Sequence, residues 1–572
     1  MVDENSSKKI GGSLLLLVVI MISIFAWITY GTLQGVLGTL AFLIVGLLNI
    51  FPWIIPFAGI PLGILDVLGI YGFGMGTLTL NLAHLGNSWM SILWFWIISF
   101  VGIFIDVMLI VLIFFWLKGL KYRKKEPKTN LALVNCNIID GNRDSKVIND
   151  GVILVKNIVK KGETAGLIAD VGKAGDIEIP SDYKRIDLNG EYILPGLINA
   201  HCHLIMSGKP RKMQNLSDER MEQLVKLTEN RLIQIVLKKI MQANMNNALN
   251  SGVTTLRGMG DAAYLDVKLS DEVKEGKIIG PRLVVAGKTI CTTGGHGGPA
   301  SYVCDSIPEV RKAIRSNLRH RVDCIKIIST GGVMDAEKIG EAGRPQMTIE
   351  EIETACFEAH RGNLLVATHC ESTKGIEEAL AGGVDTIEHG ADIPDELFPL
   401  FKNNPKALRG YTALVPTIAA GMGLSTLPTE DTKITPIKFE NAKLIEKGMI
   451  KSLQIAYKND IRFGCGTDSG VPYSTHYNIW KELKYYLKYT DMTAQEAIYF
   501  ATKNTAEIIG IDDVTGSIEV GKSADLQVVP GNPLENIDVL GQVSKVVIMG
   551  HLINNPKIKK VKNLKEITPI EM

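Results

Sequence analysis

The sequence of 572 residues predicts an α/β chain: a (β/α)8 TIM barrel with a small flanking β-sandwich built from both of its ends, preceded by a helical transmembrane region. Three observations predict this. Between Ile10 and Trp116 there is no Lys or Arg, and the only acidic residues are Asp66 and Asp106. From residue 196 to residue 468, short apolar runs alternate with longer helical stretches. Segments that alternate like exposed strands flank that region on both sides. The expected boundaries are 1–126 for the transmembrane region, 127–194 and 513–572 for the two parts of the sandwich, and 195–512 for the barrel.

The N-terminal expectation rests on hydropathy. GSLLLLVVIMISIFAWITY (12–30) and the run 88–120 are long enough to cross a bilayer, whereas 34–56 and 58–80 are broken by Gly and Pro. Lys8 and Lys9 precede the first and the basic run 121–125 follows the last, which places both ends in the cytoplasm and makes the number of spans two or four. Asp106 lies mid-span, where an ionisable group is costly. The basic run would also suit anionic membrane lipid. The expectation is therefore an integral membrane protein with a cytoplasmic catalytic domain. Overall charge points to no nucleic acid, with 61 basic residues against 60 acidic ones. The eight cysteines form no CxxC pair and read as reduced thiols.

The sandwich is expected from 129–140, 150–162 and the run KRIDLNGEYILPGLI, with a second half in 516–531 and 544–554. For the barrel, eight strands are expected at 196–204, 253–258, 282–288, 323–329, 364–370, 384–390, 413–418 and 461–468, with helices at 347–362 and 372–383 among those between them. A barrel of this kind forms its active site at the C-terminal strand ends.

The chemistry-bearing residues fall at those ends. His201 and His203 end the first strand in NAHCHLI, and a separation of two puts both imidazoles on one face. Lys326 lies in the fourth, His369 ends the fifth, His389 the sixth and Asp468 the eighth. Four imidazoles and a carboxylate at one mouth suit zinc or a similar divalent ion. His296 lies on a glycine-rich loop after the third strand, open to close substrate approach. Arg257, Tyr473 and His476 are candidates for orienting a substrate carboxylate. No GxxxxGK[ST] is present, which excludes a phosphate-binding loop of that type.

In these residues the sequence resembles the amidohydrolase superfamily, through HCH at 201–203, IKI around Lys326, ATHC at His369, IEHG at His389 and GTDSG at Asp468. It is most similar to the imidazolonepropionase-related branch, which includes binuclear Xaa-Pro and Xaa-Arg dipeptidases and carboxypeptidases. The resemblance covers 129–555. It implies two divalent metal ions, zinc in the first instance, bridged by a Lys326 carboxylated on its amine. It further implies that His201, His203, Lys326 and Asp468 hold one ion and Lys326, His369 and His389 the other, that Asp468 is general base and then acid, and that His296 contacts the substrate or transition state. The implied substrate is a small-molecule amide, a dipeptide or an N-acyl amino acid.

Two alternatives stand beside it: a cyclic amidase or deaminase of the same fold, and a membrane sensor or transport subunit with a degenerate hydrolase domain. A homo-oligomer is compatible with either.

Overall fold

A computed structural model describes residues 129–160, 163–210, 218–261, 263–562 and 564–572. The expected transmembrane spans lie outside the described residues. Among the described residues no helix is long and apolar enough to cross a membrane, and the expectation of an integral membrane protein is corrected on that finding. The two longest helices, Arg231–Asn250 and Pro436–Lys458, carry charges such as Lys238, Lys239, Lys443 and Lys447 along their length. Burying those charges in hydrocarbon would be costly.

Five strands open the described chain: β1 (Leu131–Ile138), β2 (Ile148–Lys160), β3 (Glu163–Lys173), β4 (Lys184–Asp187) and β5 (Tyr192–Pro195). Nine follow in the central region: β6 (Leu197–Cys202), β7 (Val253–Gly258), β8 (Arg282–Val285), β9 (Ile290–Cys291), β10 (Tyr302–Val303), β11 (Ile325–Ile328), β12 (Val366–Cys370), β13 (Thr386–His389) and β14 (Ala413–Val415). The last three are β15 (Leu526–Val529), β16 (Lys545–Ile548) and β17 (His551–Asn554).

Strands from both ends of the chain form one sheet in the order β17-β16-β15-β5-β1-β2-β3, with β4 paired to β1. The sheet folds back on itself. Gly166 N–H donates to the Met549 carbonyl at 3.0 Å, and Ile168 N–H donates to the Lys522 carbonyl at 2.8 Å. Alternate residues such as Leu133, Ile153, Ile168, Ile193, Leu526 and Val528 thereby fill one buried cluster. Period-2 patterning produces this arrangement, because each strand gives every second side chain to the interior.

In the central region β6, β7 and β8 pair in parallel, as do β11, β12, β13 and β14. Backbone bonds close the two gaps. Asp323 N–H and Cys324 N–H both donate to the Val285 carbonyl, joining β8 to β11. Residues 461–469 run between β14 and β6 through the parallel bridges Leu414–Phe463 and Cys202–Ser469. Parallel strands with helices between them close into a ring of eight segments. Their sequences are nearly continuous apolar runs because both faces are covered.

The helices are set by their caps. Ile349–Arg361 begins with a reciprocal Thr348–Glu351 capping box. Thr373–Gly382 starts at the Ser372 hydroxyl and stops at Gly383. Some expected strand ends differ from what is found: the seventh stops at Val415, with a helix starting at Ile418. The third stops at Val285, and Gly287 beyond it has a φ of +64°. The eighth is held by isolated bridges and by backbone bonds such as Ala200 N–H to the Cys465 carbonyl at 2.8 Å, with Asp468 at a left-handed φ of +46°.

Candidate metal centre

β6 ends at Cys202, which pairs with Gly258 of β7; His201 lies in the irregularity between the paired Asn199 and Cys202, and His203 follows just past the strand. His201 is buried, and its Nδ1 lies 2.7 Å from Glu388 Oε2. Burial, reinforced by the charge of Lys326, holds the imidazole neutral, well below its usual range. The proton therefore sits on Nδ1, which donates to Glu388 and leaves the Nε2 lone pair facing the barrel mouth. His201 Nε2 is 3.6 Å and His203 Nε2 is 3.1 Å from Asp468 Oδ1. Although burial acts to raise it, the neighbouring His203 and His201 hold the Asp468 carboxyl well below the usual carboxylate range.

The second group lies across the mouth. His389 ends β13 with a φ of +73°, and its Nδ1 is 2.6 Å from the Thr417 hydroxyl, itself against the Met449 sulfur. Burial pushes His389 down to about 3, and burial with the neighbouring His296 and His389 lowers His369 well below the ordinary range. The His369 and His389 rings are 4.6 Å apart between centroids. The candidate ligand atoms of His201, His203 and Asp468 lie within 4.8 Å of one another, as do those of His369, Glu371 and His389.

Lys326 stands in β11, whose residues Lys326 and Ile328 pair with Ala367 and His369 of β12. It is buried, and its amine has no hydrogen-bond partner. Burial pushes it down to about 8 against the pull of Glu388 and Asp468, so a substantial fraction of the amine is neutral near physiological pH. Only a neutral amine can take up carbon dioxide. Buried polar atoms normally have partners, yet Lys326 Nζ, His369 Nε2, Glu371 Oε2 and Asp468 Oδ1 have none among the described residues. These orphaned nitrogens and carboxylate oxygens match the donor set of divalent metal.

His296 lies on the same side, its ring 4.5 Å from that of His369 and its Nδ1 2.5 Å from Asp335 Oδ2. Gly332 permits this placement, since a Cβ there would stand 2.8 Å from the imidazole.

The three expected substrate contacts all lie in buried surroundings. Arg257 is buried and spends its donors inside the protein: Nε to the Ala200 carbonyl at 2.6 Å, Nη1 to Thr386 at 3.1 Å and Nη2 to Glu388 at 2.7 Å. Through its bond to Glu388 it is linked to His201. Tyr473 is buried and its hydroxyl donates to the Asp431 carbonyl at 3.3 Å. His476 is also buried, with Nε2 donating to the Met206 carbonyl at 2.8 Å and Nδ1 accepting from Ser469 at 3.1 Å.

His476 carries a pH dependence. Burial takes it down to about 4 from an ordinary 6.5, so between those values the unfolded chain binds the proton and the folded chain does not. Stability is present above pH 6.5 and lost on acidification towards pH 4, by on the order of 3 kcal/mol. His476→Gln, which can keep both hydrogen bonds, is expected to flatten urea-unfolding stability across that window. An unchanged slope would refute the assignment.

Sequence reasoning missed Glu388 and Glu371. Glu388 is hidden inside the IEHG motif as a neighbour of a ligand. Glu371 follows His369 at a separation of two, the same spacing that singled out His201 and His203, and that rule would have found it.

The chain matches the model of the amidohydrolase family over residues 192–553. Among solved structures it is 34% identical to a protein from Bifidobacterium longum assigned as a prolidase, with a TM-score of 0.67 over 77% of this chain and 98% of that one. It is 30% identical to a Xaa-Pro dipeptidase solved with methionine in its active site, with a TM-score of 0.62 over 74% of this chain and all of that one (100%). It is also 26% identical to ochratoxinase of Aspergillus niger over 340 residues, 54% of this chain and 67% of that protein.

Proposed function

Since the chain belongs to the amidohydrolase family and is thereby a hydrolase acting on carbon–nitrogen bonds, we propose that it cleaves the amide bond of a dipeptide or an N-acyl amino acid at a two-metal site. The observation that supports this reading best is the presence at the strand ends of two groups that could each hold an ion, together with the buried, unpartnered amine of Lys326. The similarity to a Xaa-Pro dipeptidase supports a dipeptide substrate.

In this reading His201, His203 and Asp468 would hold one ion and His369 and His389 the other, with Lys326, carboxylated on its amine, as a ligand common to both. Zinc suits the imidazole and carboxylate donors. When bound, the pair polarises the scissile carbonyl and makes hydroxide available near neutral pH. Asp468 takes the proton of the attacking water and returns it to the leaving nitrogen. His203 and His201 hold it ionised, so it carries no proton of its own before that step. Glu388 holds the His201 tautomer, as a carboxylate behind a ligating imidazole does. His296, held by Asp335 on its loop, contacts the carbonyl side of the substrate.

Metal analysis of the purified full chain combined with a dipeptide and N-acyl amino acid library tests this directly. Two equivalents of divalent metal are expected, with turnover lost on chelation and restored by zinc. One ion per chain with turnover confined to cyclic amides would favour the cyclic amidase alternative. A metal-replete protein inert towards all of these substrates would overturn the reading.

A further inference from the structure

The resemblance accounts for the imidazoles and for Lys326 but leaves Glu371 without a role. Glu371 Oε2 lies 3.8 Å from His369 Nε2, and neither atom has a hydrogen-bond partner among the described residues. Both side chains are nearly enclosed, at 8% and 9% exposure for His369 and Glu371. Two buried, unpartnered ligand atoms at that separation suit a shared cation, because bonds of about 2.0–2.2 Å to one centre hold donors roughly 3–4 Å apart. The His389 ligand atom completes the group within 4.8 Å. With its Nδ1 engaged by Thr417, His389 has only Nε2 to offer.

The backbone aims Glu371 at this spot. Its N–H donates to the Thr330 hydroxyl at 3.1 Å. Its carbonyl lies against Gly343, where a Cβ would come within 2.4 Å of it. A residue two beyond His369 also keeps to the same side of an extended chain. Between the end of β12 and the loop after β11, the carboxylate has a fixed base.

Building on the metal-dependent reading above, we propose that Glu371 is a direct carboxylate ligand of the second ion, beside His369 and His389. Two imidazoles and an encoded carboxylate are a complete protein set for a catalytic ion with an open position. The second ion then does not depend on carboxylation of Lys326 for its only anionic ligand. Lys326 would couple the two ions, while Glu371 retains one of them.

The test uses the full chain and zinc or cobalt(II), with metal content and the cobalt absorption spectrum as readouts independent of turnover. Glu371→Gln is expected to keep one ion and bind the second at least tenfold more weakly. Lys326→Met is expected to keep a measurable second ion. Retention of the first ion and an unchanged thermal midpoint for the apoprotein establish folding. Should Glu371→Gln fail to fold, Glu371→Asp is expected to shift the cobalt spectrum and weaken the second ion, and an unaltered spectrum overturns the proposal. Two ions bound by Glu371→Gln with unchanged affinity also overturn it. So does complete loss of the second ion in folded Lys326→Met. If the wild-type chain binds no ion at all, the metal-dependent reading falls instead, which keeps the two failures distinguishable.

Discussion

Replacing Asp468 with Asn is expected to lower kcat/KM on a cleaved dipeptide by about a thousandfold to ten-thousandfold. The amide has nearly the same shape and can still offer an oxygen to a metal, but it cannot accept the proton of the attacking water. His203 and His201 press the Asp468 carboxyl towards its ionised form, so the loss should be even across the acid side of the pH profile and not recoverable by raising the pH. Metal content measured beside turnover separates loss of a base from loss of an ion. A variant that keeps more than a tenth of wild-type turnover would show that the proton moves through another group.

The second large effect is on stability. Arg257→Met leaves Glu388 buried without its cation, and breaking a buried ion pair from one side costs about 3–5 kcal/mol. The geometry makes this a severe case, since Glu388 is wholly enclosed and accepts from Arg257, Thr386 and His201 together. Denaturant midpoints should fall sharply for Arg257→Met and recover in part for Arg257→Met with Glu388→Gln, where no charge is stranded. First-ion affinity should fall in the double variant, because there His201 loses the carboxylate that fixes its tautomer. Equal stability of Arg257→Met and wild type would mean that the cluster is far less strongly coupled than its distances imply.

Much of this chain could be read without coordinates. The order of barrel strands is legible because strands covered on both faces must be continuous apolar runs, and ligands placed at their ends share one mouth. The His201 and His203 pair follows from period-2 geometry alone. The same rule reaches Glu371, whose acidic side chain nevertheless looks ordinary in sequence.

What the sequence by itself determined was the α/β class of the catalytic region and the order of its strands, since these depend on patterns local to each segment. Tertiary structure alone decided direction. Arg257 looks like a surface anchor for a carboxylate until β13 brings Glu388 against it. Glu388 and His389 are adjacent and should face opposite ways in a regular strand, yet both serve the site. The left-handed φ of +73° at His389 breaks the alternation. That strain is held by packing between segments far apart in the chain, which no local pattern records.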